Sequence, residues 1–433
     1  MDSRQMPPVV VRFTYYQNLY HHPYSEMTLP LELVDEVLNY LPPDNESLRS
    51  CSLVAKSWLR PSRQRLFENL FIQDAECQSW LDNIPPTNIE LLQHVRSFCF
   101  ASSHPWGRDS PPHEYIDINN LYVYFPSFHR LHTISLSNAR ISPDIPERMD
   151  MFSPCQHVLS SLILADVSLP WRSLIALIDY FPNLRNLGLS YISFEDDNRD
   201  SPPLSRPLHG KLCFYMSQVA AIAAFSGWLS TGPRVEYDEL VADVGYFSAT
   251  HSRRIIAACG KSLKRLRLEV CECFVSRSML ERRLTGRLRS QVGAPVTLSH
   301  FPELRELEFS VLQPTTRHRD TVSSITSVNI RKIIFSHPLI AATLQALTNN
   351  TDWKSFDDCV SALADKLRGL GNKQTLEVEL RTGSIVLDPL VDYSGFLSKF
   401  REKGRVSVVD RSSGQILGLA VGLVFPLASC CRL

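Results

Sequence analysis

The sequence feature that most constrains the fold of this chain is a recurring triplet of apolar residues. In each copy, two other residues separate the first apolar residue from the second, and one separates the second from the third. The copies are Val95/Phe98/Phe100, Leu131/Ile134/Leu136, Leu159/Leu162/Leu164, Leu184/Leu187/Leu189, Leu263/Leu266/Leu268, Leu304/Leu307/Phe309 and Ile330/Ile333/Phe335. Two degenerate copies are expected in the long gap after the fourth, at 209–214 and 234–240. Repeats of about 25–30 residues that each supply one short strand stack into a solenoid.

Helical periodicity precedes several triplets, so each unit is predicted to be a helix followed by a strand. The clearest example is the stripe Trp171, Leu174, Ile175 and Ile178, and a second precedes the triplet at 263. The alternation continues with a predicted helix over 353–370, a strand at 376–380, a helix over 391–400 and a strand at 406–409. The fold class predicted for residues 90–411 is therefore an irregular α/β solenoid.

Composition and charge narrow the classes of partner. The chain has 45 basic and 45 acidic residues, and this zero net charge argues against nucleic acid or an anionic membrane as the main partner. Its 11 cysteines are scattered, and no secretory signal is evident at the N-terminus, so a cytoplasmic or nuclear protein with reduced thiols is expected. The chain has 28 prolines and 17 glycines, and this low glycine content argues against phosphate-binding loops lined by glycine.

The N-terminal part of the chain has a different pattern. Residues 1–27 show no periodicity and are expected to be a disordered lead-in. Residues 28–72 are predicted to form three short helices, separated by Pro42 and Pro61, that are too few to enclose a core of their own. Such a trio carries more apolar surface than it can bury and is expected to need a partner. Packing against the first repeat, as the cap of the solenoid, is the alternative.

Residues 28–72 resemble an F-box, especially the F-box-like proteins that are numerous in basidiomycete fungi. The matching stretches are Leu29-Pro30-x-Glu32-Leu33, Val37-Leu38, Leu41-Pro42 and Ser52-Leu53-Val54-x-Lys56-Ser57-Trp58. The resemblance implies docking to a Skp-type adaptor and, through it, to the cullin scaffold of an SCF-type ubiquitin ligase. The adaptor-binding residues that it implies are Leu29, Pro30, Leu33, Val37, Leu38, Leu41, Leu53, Val54 and Trp58.

The turn at 44–47 is about two residues longer than is usual in that family, which leaves a second function open. The first function is that of the substrate-recognition subunit of a ubiquitin ligase, with no catalytic residue of its own. The alternative is a protein-binding scaffold with the same fold and no ligase partner. Both predict an as yet unknown client protein bound by the repeat region.

The triplets resemble leucine-rich repeats in spacing. The position that normally holds asparagine or cysteine is occupied by Ala139, Val167, Ile192, Cys271 and Leu312, of which only Cys271 fits. Strand residues between the apolar positions are expected on the concave side, small and polar in the first repeats and charged in the later ones. A basic stretch at 251–290 suggests a site for an acidic or phosphorylated client segment, formed by Arg265, Arg267, Arg282 and Arg283. The alternative is that Arg265 and Arg267 pair with Glu306 and Glu308 of a neighbouring strand.

The sequence contains no complete signature of a catalytic, cofactor or metal site. Gly260-Lys261-Ser262 lacks the upstream glycine of a phosphate-binding loop, and Cys271-x-Cys273 and His21-His22 lack a second ligand pair. Neither a cofactor nor a metal is therefore expected. The apolar tail at 412–433 is too short and too interrupted for a typical membrane span, so a buried segment is favoured over a membrane anchor or a disordered end.

Overall fold

The computed structural model divides into two compact units, Met1–Leu66 and Phe67–Leu433. It describes residues 29–41, 45–73, 86–101, 116–117, 124–195, 204, 206–215, 219–231, 234–243, 249–269, 295–310, 314–337, 342–343, 351–372, 374–382, 385–386, 397–410 and 416–417. Four features predicted from the sequence lie outside these described residues. They are the lead-in, the pair Arg282 and Arg283, the Cys271-x-Cys273 motif, and the tail beyond residue 417.

In the described residues of the first unit there are three helices: α1 Leu31–Tyr40, α2 Asn45–Ser52 and α3 Lys56–Leu66. Contrary to the expectation from sequence, they do enclose a small core. Its buried members are Val34, Leu38 and Leu48, against which Leu41, Cys51, Trp58 and Leu66 pack. One helix boundary also differs from prediction, because Pro61 lies inside α3 and does not separate two helices.

The second unit is α/β and is built on one long, mainly parallel sheet. Its strands are β1 Asn69–Gln73, β2 Ser97–Ala101, β3 Ile116–Asp117, β4 Thr133–Arg140, β5 Ser161–Leu169, β6 Asn186–Ser190, β7 Ser193–Phe194, β8 Leu208–Phe214, β9 Val235–Asp243, β10 Arg265–Glu269, β11 Glu306–Phe309, β12 Lys332–His337, β13 Ala342–Thr343, β14 Glu377–Thr382, β15 Ile385–Val386, β16 Arg405–Asp410 and β17 Ile416–Leu417. Along the sheet the order is β1-β2-β4-β5-β6-β8-β9-β10-β11-β12-β14-β16-β17, with β3 paired to β4 and β7 paired to β5. Strands β13 and β15 form a separate parallel pair. The final pair, β16 and β17, is antiparallel.

The strand order follows the chain order, as a repeat architecture requires. Both degenerate copies predicted from the sequence are confirmed as strands: 209–214 lies in β8 and 234–240 overlaps β9. The strands predicted at 376–380 and 406–409 correspond to β14 and β16. One assignment was wrong, since residues 69–72 belong to β1 of the sheet and not to the helical trio.

Helices connect many of the strands and cover the core. The α-helices are α4 Trp171–Tyr180, α5 Val219–Thr231, α6 Ala249–Ala258, α7 Thr316–Ser323, α8 Thr351–Gly369 and α9 Ser398–Arg401. The 3-10 segments are Pro86–His94, Phe125–Ser127 and Ile145–Cys155. Every residue of the seven apolar triplets is buried, and aromatic side chains such as Phe125, Phe181 and Phe301 fill the space between strands and helices. Burial of this continuous apolar layer holds the stacked repeats together.

Three successive repeats share a left-handed backbone residue at the same position after the triplet. Asn138, Asp166 and Tyr191 have φ angles of 52°, 54° and 56°, and the strand registers align Asn138 with Asp166. Asparagine and aspartate tolerate this conformation better than most residues do. The next residues, Ala139, Val167 and Ile192, are turned into the core and buried. This geometry explains why apolar residues occupy the position where a leucine-rich repeat normally has asparagine.

Candidate functional site

Helix α1 carries apolar residues on two sides. Val34 and Leu38 point into the small core, whereas Leu33, Val37 and Tyr40 are 46%, 40% and 82% exposed. The exposed residues are spaced i, i+4 and i+7, so they form a stripe of their own along the helix. The small core buries one apolar side of α1. The second apolar stripe is not buried within the helical unit.

The turn between α2 and α3 exposes two further apolar residues. Leu53 is 85% and Val54 is 67% exposed. Their backbone N–H groups donate to the carbonyls of Ser50 and Cys51, at 3.0 and 3.1 Å. These hydrogen bonds hold the turn in place. The two side chains are therefore presented to solvent by an ordered backbone.

The adaptor-binding residues predicted from the resemblance fall into two groups in the structure. Leu29, Pro30, Leu33, Val37, Leu53 and Val54 are exposed. Leu38 is buried in the core, and Leu41 and Trp58 pack against it, so these three stabilise the unit. We define the apolar docking face as Leu29, Leu31, Leu33, Val37, Tyr40, Leu53 and Val54. Leu31 and Tyr40 were missed in the sequence, although the spacing of Tyr40 from Leu33 and Val37 would have indicated it.

The sheet has a second face, opposite the core, formed by the strand residues that alternate with the triplets. We call it the polar face. From β8 to β16 its in-register residues alternate in charge as Lys211, Glu239, Arg265, Glu306, Lys332, Glu377 and Arg405. From β2 to β6 the corresponding residues are neutral, as predicted, and include Thr133, Ser135, Ser161 and Asn186.

The charged half of the polar face is an internally paired network. Arg265 lies 3.4 Å from Glu306, and Arg267 lies 2.6 Å from Glu269 and 3.6 Å from Glu308. The ion-pair alternative for Arg265 and Arg267 is thus what the structure shows. Because these guanidinium groups are already engaged, a client that used them would have to compete with carboxylates of the same sheet.

Glu379 is the most buried carboxylate of this network. Burial opposes its ionisation, but hydrogen bonds from Lys332, at 2.6 Å, and from Arg381 outweigh burial and lower its pKa. Burial likewise disfavours the charged form of Lys332, and its bond to Glu379 raises the pKa above the usual value. Both partners therefore stay charged near neutral pH.

The cysteine thiols for which a shift is resolved are poor nucleophiles. Burial raises the pKa of Cys99 and Cys213 on the polar face, and it raises that of Cys155 and Cys259 to about 12. Reactive cysteines need the opposite shift, because the thiolate is the nucleophile.

The described residues contain no cluster of three or more histidine, cysteine, aspartate or glutamate side chains suited to a metal ion. Ser262, in the discarded Gly260-Lys261-Ser262 motif, donates its hydroxyl to the Tyr237 and Cys259 carbonyls, at 3.0 and 3.4 Å. Among the residues that the structure describes, no helix is long and apolar enough to cross a membrane.

Comparison with known proteins adds no assignment, since no protein-family model and no curated protein matches the chain.

Proposed function

We propose that this chain is the substrate-recognition subunit of an SCF-type ubiquitin ligase. In this proposal the helical unit is an F-box-like module that docks a Skp-type adaptor, and the sheet unit is a divergent LRR-like solenoid that binds a client protein. The protein acts in the cytoplasm or the nucleus and contributes no catalytic residue. Its mechanism is proximity, because it holds client lysines near a conjugating enzyme brought by the complex.

The observation that carries the proposal is the apolar docking face. It exposes seven large apolar side chains on a unit whose core has three fully buried members. Exposed apolar surface rimmed by polar residues is typical of protein-binding sites. Leu29 and the Leu53-Val54 pair, which are among the residues through which the chain resembles an F-box, belong to this face.

The LRR-like part of the proposal is supported by the parallel registers and by the left-handed residue after the triplet. Each repeat contributes one strand to a sheet whose order follows the chain, and stacked repeats of this kind offer an extended surface to a protein partner.

The experiment that tests the proposal is capture of the adaptor by two double variants, Leu29→Ala with Pro30→Ala, and Leu53→Ser with Val54→Ser. Each is expected to reduce adaptor and cullin recovery at least tenfold, because apolar anchors at the centre of an interface dominate its affinity. Glu36→Ala is the matched control, since Glu36 is an exposed polar residue of α1. Unchanged recovery in both double variants would refute the proposal. Client binding without any adaptor would instead favour the scaffold alternative.

A further inference from the structure

A row of basic side chains lines the edge of the sheet at which the strands begin. In each repeat, one residue comes directly before the first strand residue of the polar face. The backbone groups of these residues extend the hydrogen-bond pattern between neighbouring strands by one residue. For example, the N–H of Arg305 donates to the Lys264 carbonyl at 2.7 Å, and that of Arg331 donates to the Arg305 carbonyl at 2.8 Å. We call these residues, from β2 to β12, the edge row: Arg96, His132, Ser160, Arg185, Gly210, Asp238, Lys264, Arg305 and Arg331.

The edge row differs from the polar face in how its cations are neutralised. On the polar face Lys211, Arg265, Arg267, Lys332 and Arg381 each lie within 3.7 Å of a carboxylate, and within the described part of the chain Arg405 is the exception on this face. On the edge row Arg96 pairs with Glu68 at 2.9 Å and Lys264 with Asp238 at 2.6 Å. The described residues provide no ion-pair partner for the three exposed arginines of the row, which are Arg185, Arg305 and Arg331.

A cleft of about 1330 Å³ opens at the same edge. Its lining includes His209, Arg234, Lys261 and His300. Two carboxylates also line the cleft, but both are already paired: Glu236 lies 2.6 Å from Arg234, and Asp238 lies 2.6 Å from Lys264. Lys261 is exposed and has no carboxylate partner in the described part of the chain. The cleft and the edge row together form a surface with more positive charge than the described carboxylates neutralise.

We infer that this edge, from Arg185 directly before β6 to Arg331 directly before β12, binds an extended acidic segment of a client protein. The five strand spacings between β6 and β12 span about 24 Å, at roughly 4.8 Å each. An extended peptide covers that distance with about seven residues. Guanidinium groups spread along such a length suit several aspartate or glutamate side chains better than they suit one compact anion.

This inference rests on the proposed function only in assigning the acidic segment to a client. A protein ligand is favoured over nucleic acid because the chain as a whole has zero net charge, 45 basic against 45 acidic residues. The site consists of residues of the sheet unit, whereas the apolar docking face consists of residues of the helical unit. The two surfaces can therefore be tested independently in the same full-length protein.

The experiment is fluorescence anisotropy with labelled octaglutamate, octaglutamine and an eight-nucleotide single-stranded RNA. The variants are Arg305→Gln with Arg331→Gln, and Arg305→Glu with Arg331→Glu. The matched control is Lys211→Gln with Arg265→Gln, which removes the same charge from the polar face. Octaglutamate is expected to bind and to weaken as salt rises, whereas octaglutamine is not expected to bind. The glutamate variants should lose about tenfold or more in affinity, the neutral variants less, and the control little.

Absence of octaglutamate binding would overturn the inference, and so would an equal loss in the control and edge variants. Tighter binding of the RNA than of octaglutamate would also overturn it, in favour of a nucleic-acid site. Adaptor capture measured on the same variants is expected to be unchanged. If octaglutamate fails to bind while adaptor capture persists, this inference fails and the proposed function stands.

Discussion

The two units of the molecule treat apolar side chains in opposite ways. Among the described residues, the helical unit exposes seven large apolar side chains, and the much longer sheet unit exposes four. In the sheet unit these are Phe71, Ile163, Val328 and Leu370. The comparison shows that the sheet unit buries its own apolar surface, whereas the helical unit keeps much of its apolar surface available.

Their architectures explain the difference. The strands that carry the triplets lie side by side in one sheet, and their buried residues belong to a core that is continuous from Leu70 to Val406. Three short helices cannot achieve this, and their core includes only Val34, Leu38 and Leu48 as buried members. Truncating a buried apolar residue of the sheet unit should therefore impair folding. Truncating an exposed apolar residue of the helical unit should instead impair binding.

The largest expected effect is on folding of the sheet unit. Phe181 is fully buried and its ring packs against Phe152, with centroids 5.6 Å apart. Phe181→Ala should lower the free energy of unfolding by about 3–5 kcal/mol, because it leaves a cavity in a close-packed core. Urea unfolding followed by fluorescence measures this loss. A loss below about 1 kcal/mol would show that the continuous core is not what stabilises the sheet unit.

The next effect is a dependence of stability on pH. His318 accepts a hydrogen bond from the Thr315 N–H at 2.8 Å at the start of α7, and burial, with a smaller contribution from Arg317, lowers its pKa to about 4. The unfolded chain binds a proton near pH 6.5 and the folded protein does not. Stability should therefore be independent of this group above pH 6.5 and decrease from pH 6.5 towards 4, by on the order of 3 kcal/mol.

Thermal unfolding between pH 4 and 7.5 checks this dependence. In His318→Gln the decrease between pH 6.5 and 4 should be smaller than in the unchanged protein, since the titrating group has been removed. Parallel pH profiles for the two proteins would show that His318 is not responsible.

A smaller effect is expected within the charged half of the polar face. Lys332→Met leaves the buried carboxylate of Glu379 with Arg381 as its remaining partner and should cost about 1–3 kcal/mol. Lys211→Met is the matched control, because its partner Glu239 is partly exposed, and it should cost less than about 1 kcal/mol. Equal costs in urea unfolding would contradict the assignment of Glu379 as the buried centre of the network.

The smallest effect on folding is expected at the apolar docking face. Leu53→Ala with Val54→Ala should change the free energy of unfolding by less than about 0.5 kcal/mol, because both side chains already face solvent. The same variant should bind the adaptor poorly. A destabilisation above about 2 kcal/mol would mean that the two residues belong to the core of the folded protein, and the contrast between the units would be lost.

The sequence predicted the sheet better than it predicted the helical unit. Triplets such as Leu184/Leu187/Leu189 marked the strands, because a residue spacing of two places side chains on one face of a strand. The degenerate copies at β8 and β9 were found from the repeat length alone. The left-handed residues were not foreseen, since Tyr191 is not a residue type that indicates this conformation.

In the helical unit the same apolar pattern was compatible with both burial and exposure. Leu38 and Val37 are neighbours in sequence, yet Leu38 is buried and Val37 is exposed. Which side of α1 faces the core depends on how α3 packs, and periodicity does not contain that information. The edge row was also missed, although aligning the repeats on their triplets places Arg185, Arg305 and Arg331 at one position.

Adaptor binding by the apolar docking face is tested most directly by calorimetric titration of the purified full-length protein with a purified Skp-type adaptor. We expect saturable one-to-one binding that Leu53→Ser with Val54→Ser abolishes and that Glu36→Ala leaves unchanged. The far-ultraviolet circular dichroism spectrum of the double variant should match that of the unchanged protein. Absence of binding by the unchanged protein, or equal binding by the double variant, would contradict the claim that the apolar docking face recruits the adaptor.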